Sequence, residues 1–341
     1  MTLAPTGSIA RAIRIWLVLA ALLLVALMVA LSVGSTSIPT IKLVSLLLMP
    51  GDDLPSQIVH QLRLPRAMAA FATGGLLALA GALMQVLLRN PLADPYVLGL
   101  SGGSAVGALG AMLIGLNAAL IGAGAFAGAL LSVVTVFAFA NRELARLQPA
   151  GVIDTSPRLL LTGVVLASGW SAIVMLILTV APETQLRGML FWLIGDLSAV
   201  QSYWPALTGL ALALAVVVPM ARELNVMSAG LAVAHSLGVR VVAVRRTLYL
   251  VASLATALAV TTTGTIGFVG LVVPHALRLA IGNDQRVLLP ACVLGGGILL
   301  LISDTAARVL FAPQQLPVGV VTALFGVPTF LFLLMRDGAR R

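Results

Sequence analysis

The sequence predicts an all-α integral membrane protein of about ten transmembrane helices, with short amphipathic helix between spans six and seven. Three observations carry that expectation. Hydrophobic residues make up 60% of the chain and charged ones 9%, too little polar surface for a soluble protein of 341 residues. Apolar runs near the length needed to cross a bilayer, about 20 residues, recur along the whole chain. Charged residues gather between those runs rather than within them.

Taken in order, the spans fall at approximately 12–33, 66–88, 97–116, 118–140, 158–181, 202–220, 242–262, 264–282, 287–306 and 317–335. Arg11 and Arg14 before the first run resemble the start of a secretory signal, but the run extends to Val33, beyond the usual h-region of about 7–15 residues. It reads as the first span. The apolar stretch from Met189 to Met220 is too long for one crossing, and Gly195, Asp196 and Ser198 interrupt it. An interfacial helix at 187–196 followed by a true span resolves it. Gly103 with Gly107, Gly124 with Gly128, and the Gly295 to Gly297 run allow close helix approach. The chain reads as a single transmembrane domain over residues 1–341.

An even number of spans puts both termini on one side. Of the 20 Lys and Arg residues, only Lys42, Arg63, Arg66, Arg187 and Arg308 fall opposite. The excess of positive charge therefore places both termini in the cytoplasm.

The stretch from Met220 to Arg246 is the exception to the apolar pattern. Arg222, Glu223, Asn225, Ser228, His235, Ser236, Arg240, Arg245 and Arg246 keep it out of the bilayer. Leu224, Met227, Leu231, Ala234 and Leu237 form the apolar stripe of a short amphipathic helix. Ser228 is placed to N-cap it and Gly238 to end it in a left-handed turn. On the inner face, between long spans, such a helix reads as a docking surface for a partner.

Several functions are excluded. The net charge of +9 is scattered singly, without the basic face of a nucleic-acid binder. One cysteine, Cys292, rules out a disulfide framework or thiolate cluster, and His60, His235 and His275 lie far apart in sequence. No phosphate loop is present, so the chain does not hydrolyse nucleotide by that route. No catalytic, metal or cofactor site is expected. Most spans carry charge only at their ends, against the mid-membrane titratable residue an ion-coupled carrier keeps. His275 with Arg278, after Pro274, is the partial exception and reads as packed structure. The energy source is then external.

Two further features stand out. Arg63 and Arg66 bracket Pro65 at the start of span two, where cations oppose both the helix dipole and the positive-inside bias. Either they snorkel or they meet an oppositely charged partner. Arg308 has a local alternative, Asp304 four residues earlier. The loop Arg89-Asn90-Pro91-Leu92-Ala93-Asp94-Pro95 is a stiff turn at the inner mouth, read either as a gate or as a turn.

Six segments together carry a family resemblance: LRLPR at Leu62–Arg66, GALMQVLLRNPLADPYVLGLSGG at Gly81–Gly103, RGMLFWLIGDLS at Arg187–Ser198, LNVMSAGLAVAHSLGV at Leu224–Val239, GTIGFVGLVVPHALR at Gly264–Arg278, and LPVGVVTALFGVPTFLFLL at Leu316–Leu334. In this order, over nearly the whole chain, the sequence resembles the FecCD or BtuC-like permease subunits of iron-siderophore, haem and vitamin B12 ABC importers. The resemblance implies a ten-span subunit in the bacterial inner membrane that dimerises with a second copy of itself. It implies two separate ATP-binding subunits, which hold the ATP and magnesium, and a substrate-binding protein outside. Carried over by residue, Arg63, Arg66 and Arg308 match the arginines that dock the binding protein. Asn90 and Leu92 match the cytoplasmic gate, as do Thr155 and Ser156, with Pro157 inserted beside them. Leu224, Ser228, Ala229, Gly230, Leu231, Leu237 and Gly238, within a segment at 222–240, match the coupling helices on the ATPase. Asp196 replaces a serine common in relatives. With Arg187 it is a candidate influence on cargo at the outer vestibule, or else a helix cap. Ferric siderophore, haem and cobalamin remain open as cargo, ferric chelates first. The rival classes are a secondary carrier or channel, tested by proton-driven uptake without ATP, and a scaffold with no flux.

Overall fold

The computed structural model describes residues 6–34, 38–49, 51–145, 157–198, 200 and 202–338, and these are helical with no strand among them. Helices are the economical answer in lipid, since each backbone N–H finds its carbonyl within the same segment. In chain order they are α1 (Thr6–Ser32), α2 (Thr40–Leu48), α3 (Leu54–Gln57), α4 (Leu64–Leu87), α5 (Leu100–Leu113), α6 (Ala118–Ala145), α7 (Pro157–Val180) and α8 (Glu183–Ile194). There follow α9 (Trp204–Val217), α10 (Ala221–Ser228), α11 (Leu231–Ser236), α12 (Val241–Thr263), α13 (Val269–Ile281), α14 (Gln285–Val309) and α15 (Val318–Gly338).

Helix α4 is the central post. It packs against α14, α12, α13 and α9, and 89% of its apolar stretch is buried, against 11% for α7 on the periphery. Small residues make this possible. A Cβ on Gly74 would overlap the carbonyl of Gly296 on α14, and one on Gly81 would overlap that of Gly270 on α13. Gly103 and Gly107 meet Gly128 and Gly124 in the same way between α5 and α6. These are the close approaches expected for all three glycine groups, Gly296 standing for the Gly295–Gly297 run.

Among the described residues, seven helices are long and apolar enough to cross a membrane, and the bent pair α9–α10, turned by 67°, makes up to eight. The expected count of ten differs because α5, of 14 residues, and α13, of 13, are too short. At 1.5 Å per residue each covers about 20 Å of a core about 30 Å thick. The expected third span loses its first turn to a 3-10 segment at Pro95–Leu98 and ends at Leu113. The eighth loses its start to an irregular stretch, Gly264 to Phe268.

The second span begins earlier than expected. Helix α3 runs through a π-turn, Ile58–Arg63, directly into α4. Leu64 N–H donates to Val59 O, five residues back, and this widened turn lets Pro65 ride inside a continuous helix. Helix α2 was likewise not expected, and the expected interfacial helix at 187–196 runs from Glu183 to Ile194.

Non-helical backbone inside a membrane protein must be satisfied by protein. The Gly264 to Phe268 stretch meets this condition. Thr263 O accepts from Asp196 N at 2.8 Å, and the Thr265 hydroxyl donates to Leu193 O. The Tyr96 hydroxyl donates to Ile266 O at 3.1 Å while accepting from Ile266 N at 3.2 Å. Gly264, at φ 72, lies where a Cβ would overlap Trp192 O. Tyr96→Phe would strand both backbone groups of Ile266, and thermal melting of the purified chain should show a loss of about 1–3 kcal/mol.

Candidate functional site

The residues singled out in the sequence fall at two opposite ends of the bundle. Arg66 lies in the first turn of α4 and Arg89 just beyond its last, about 35 Å apart along the helix at 1.5 Å per residue.

At the first end, two arginines converge on one carboxylate and a third lies beside them. Arg66 donates from Nη2 to Asp304 Oδ1 at 2.8 Å and from Nε to Oδ1 and Oδ2 at 3.0 and 3.1 Å. Its Nη1 donates to Gln315 Oε1 at 2.9 Å. Arg308 Nε lies 3.2 Å from Asp304 Oδ2, so the local pair read from the four-residue spacing forms, but as one half of a shared site. Asp304 itself is only 2% exposed.

The remaining donors reach α1. Arg308 donates to Ala30 O at 3.0 Å and to Val33 O at 3.2 Å. Arg63 donates to Leu31 O at 2.7 Å and to Ser32 O at 3.0 Å. The last carbonyls of a helix have no partner inside it and carry its negative pole. Arg308, in the last turn of α14, and Arg63, inside the continuous α3–α4 helix, thus serve the negative pole of α1. All three arginines have partners within the chain, Arg63 on α1, Arg66 on Asp304, and Arg308 on both. The simple picture of outward-pointing charges does not hold for Arg63, which is buried.

Arg187 lies within α8 and Asp196 just after it, where Ile194 meets Gly319 at the start of α15. Arg187 is exposed and its guanidinium lies 5.5 Å from the Phe191 ring. Asp196 does not cap a helix. It closes a turn, accepting from Ser198 N at 3.0 Å and from the Ser198 hydroxyl.

At the other end, the expected single amphipathic helix is two. Gly230, at φ 135, separates α10 from α11. Ser228 is therefore the last residue of α10 rather than an N-cap, and its hydroxyl donates back to Leu224 O at 2.9 Å. Leu224, Met227, Leu231 and Ala234 are buried as the stripe requires, whereas Leu237 is 67% exposed. Ala229 is exposed, and Gly238 takes the expected left-handed turn at φ 80.

An unexpected clasp ties this region to the bundle. Asn225 on α10 donates to Asp284 Oδ1 at 2.7 Å and accepts from Gln285 N at 2.8 Å. Asp284 N-caps α14 through Arg286 N at 3.1 Å. One 25-residue helix thus joins the α10 clasp to the arginine cluster. Neither partner choice is readable from spacing, since the two residues are 59 positions apart.

The proline turn is built tightly. Arg89 adopts φ 48, Asn90 Oδ1 accepts from Leu92 N at 2.9 Å, and Leu92 is 43% exposed. Asp94 accepts from Tyr96 N at 2.7 Å, and burial lifts its carboxyl to about 6 against that hydrogen bond. Thr155 and Ser156 lie outside the described residues. His275 is buried with its ring edge-on to Phe330 at 6.1 Å, and no metal-binding cluster occurs among the described residues.

With this geometry in place, the sequence matches the FecCD transport family over residues 22–336. The chain belongs to the FecCD transport family. It is 43% identical to the cobalamin import system permease protein BtuC of Halobacterium salinarum over 81% of this chain and 73% of that one. It is 37% identical to the vitamin B12 import system permease protein BtuC of Klebsiella pneumoniae over 97% and 96%. A solved metal-chelate type ABC transporter in an inward-facing conformation superposes with a TM-score of 0.82 at 28% identity, covering 95% of this chain and 99% of that one. PsaBC from Streptococcus pneumoniae shares the fold at a TM-score of 0.52 and 17% identity, over 79% and 89%.

Proposed function

We propose that this FecCD-family chain is the non-catalytic permease subunit of an ATP-binding-cassette importer that moves a metal chelate inward. The observation that carries the reading is the 43% identity to a cobalamin import permease, together with the near full-length match to a second. Cobalamin becomes the first cargo to test, ahead of ferric siderophore and haem. The subunit crosses the bacterial inner membrane ten times, with α5, α9 and α13 as shortened crossings and both termini cytoplasmic. A second copy pairs with it, and the sparsely buried α7 offers apolar surface for that contact or for lipid.

Two ATP-binding subunits seat on α10 and α11, and a substrate-binding protein docks over Arg66 and Arg308. Closure of the ATPase pair pushes α10, and the Asn225 clasp passes the displacement to α14. Asn90 and Leu92, with Thr155 and Ser156, close the inner mouth. The chain needs no cofactor of its own, since ATP and magnesium are held by the partners.

Co-purification with neighbouring subunits, followed by vesicle uptake of the three chelates, tests this. ATP-dependent accumulation is expected. Uptake driven by a proton gradient without ATP would instead make it a secondary carrier. Within the assembled transporter, Asn225→Ala should remove two hydrogen bonds worth about 1 kcal/mol each. ATP hydrolysis should persist while uptake per ATP falls several-fold. Equal loss of both activities would mean the clasp holds only structure.

A further inference from the structure

At the α10 end lies a pocket of about 350 Å³, bordered by Ser228 of the coupling segment and Pro91 of the proline turn, whose interior has no role above. Arg89, from the turn after α4, and His275 and Arg278, from α13, line it together with Gln85, Ser228 and Asn283. Val86 and Leu279 add an apolar wall, and no carboxylate among the described residues takes part. Two of its polar groups are left unmet. Arg278 Nε and Gln85 Oε1 are both buried with no hydrogen-bond partner among the described residues, and Gln85 is only 3% exposed.

Two guanidinium groups sharing one pocket without an acid are held together most readily by a bound anion. Planar arginine forks favour the oxygens of phosphate. Gln85 Oε1 accepts rather than donates, which suits a protonated phosphate oxygen or a hydroxyl beside it. By the roughly 30 Å³ that one water occupies in the liquid, the volume equals about a dozen waters, more than phosphate alone needs. Basic pockets between transmembrane helices near the cytoplasmic surface take anionic headgroups.

We propose that this pocket binds a phosphate group, carried by an anionic lipid or free in solution. The proposal rests on the pocket and, for a lipid source, on the cytoplasmic placement of this end proposed above, and is independent of which chelate is carried. Because the pocket joins the turn after α4 to Ser228 and α13, its occupant would bridge three elements that the transport cycle has to move relative to one another.

The test uses the purified, delipidated full chain, with native mass spectrometry and thermal melting. The probes are phosphatidylglycerol, phosphatidylcholine and inorganic phosphate, added separately. A single stoichiometric adduct and a raised melting temperature are expected with phosphatidylglycerol or with phosphate, and not with phosphatidylcholine. Arg89→Gln and Arg278→Gln should each weaken that binding by about fivefold to tenfold, the scale of one basic contact. The control Arg11→Gln with Arg14→Gln, exposed on α1, should not. Arg89 is exposed, so its variant reads binding even where Arg278→Gln fails to fold.

Phosphatidylglycerol alone would assign a lipid site, and phosphate alone a soluble anion; both support the proposal. Absence of both, or binding indifferent to Arg89→Gln, overturns it. Loss of ATP-binding-subunit capture in Arg89→Gln, without binding of either probe, would overturn it in favour of a partner's carboxylate.

Discussion

Asp304→Ala is expected to cost about 3–5 kcal/mol of stability, the range for breaking a buried ion pair by removing one partner. The carboxylate accepts three close hydrogen bonds from Arg66 and lies 3.2 Å from Arg308 Nε, while being 2% exposed. Without it, these cations and Arg63 would crowd one end of α1 with no counter-charge. Thermal melting of the purified variant should show the loss directly. Asp304→Asn keeps one acceptor oxygen but not the charge, and should fall between wild type and alanine. A wild-type melting temperature for Asp304→Ala would mean the arginines are held by the α1 carbonyls alone.

The same cluster changes how binding-protein docking is to be probed. Charge reversal at Arg63 and Arg66 is the natural experiment from sequence, because rim charges steer encounter and their effect fades with salt. In this structure it would place acids beside Asp304 and uncap α1, so lost docking would be confounded with lost folding. Arg66→Lys is the cleaner variant. It keeps the charge while giving up the fork that grips Asp304.

The second large effect is expected at Gly81. A Cβ there would overlap the carbonyl of Gly270, so Gly81→Leu forces α4 and α13 apart at the centre of the bundle. Overpacking of this kind, with backbone as the obstacle, should cost about 3 kcal/mol or more. The chain should reach the membrane in much reduced amount and melt early after purification. Gly110→Leu is the matched control, since a Cβ at Gly110 meets nothing within 4 Å. Equal stability of the two variants would show that α4 and α13 can separate without penalty.

What could be read from the sequence follows from the range over which each constraint acts. Whether a run of residues enters lipid depends on its own hydropathy and length, so the long helices α1, α6, α7, α12, α14 and α15 were legible with small errors at their ends. The amphipathic stripe around Leu224 was legible for the same reason, although Gly230 splits its helix. Asp304 had a signal too, as the one carboxylate within the ninth apolar run.

The sequence by itself therefore determined the membrane class, most of the spans and the residue types at both ends. Only the tertiary structure decided that α5 and α13 stop short, that Arg63 and Arg308 close α1, and that Asn225 holds α14. The reason is physical: a backbone group or charge removed from water must be paired, but its partner is chosen by proximity in space. Arg66 and Asp304 stand 238 positions apart in the chain, and no local pattern in either segment encodes that meeting.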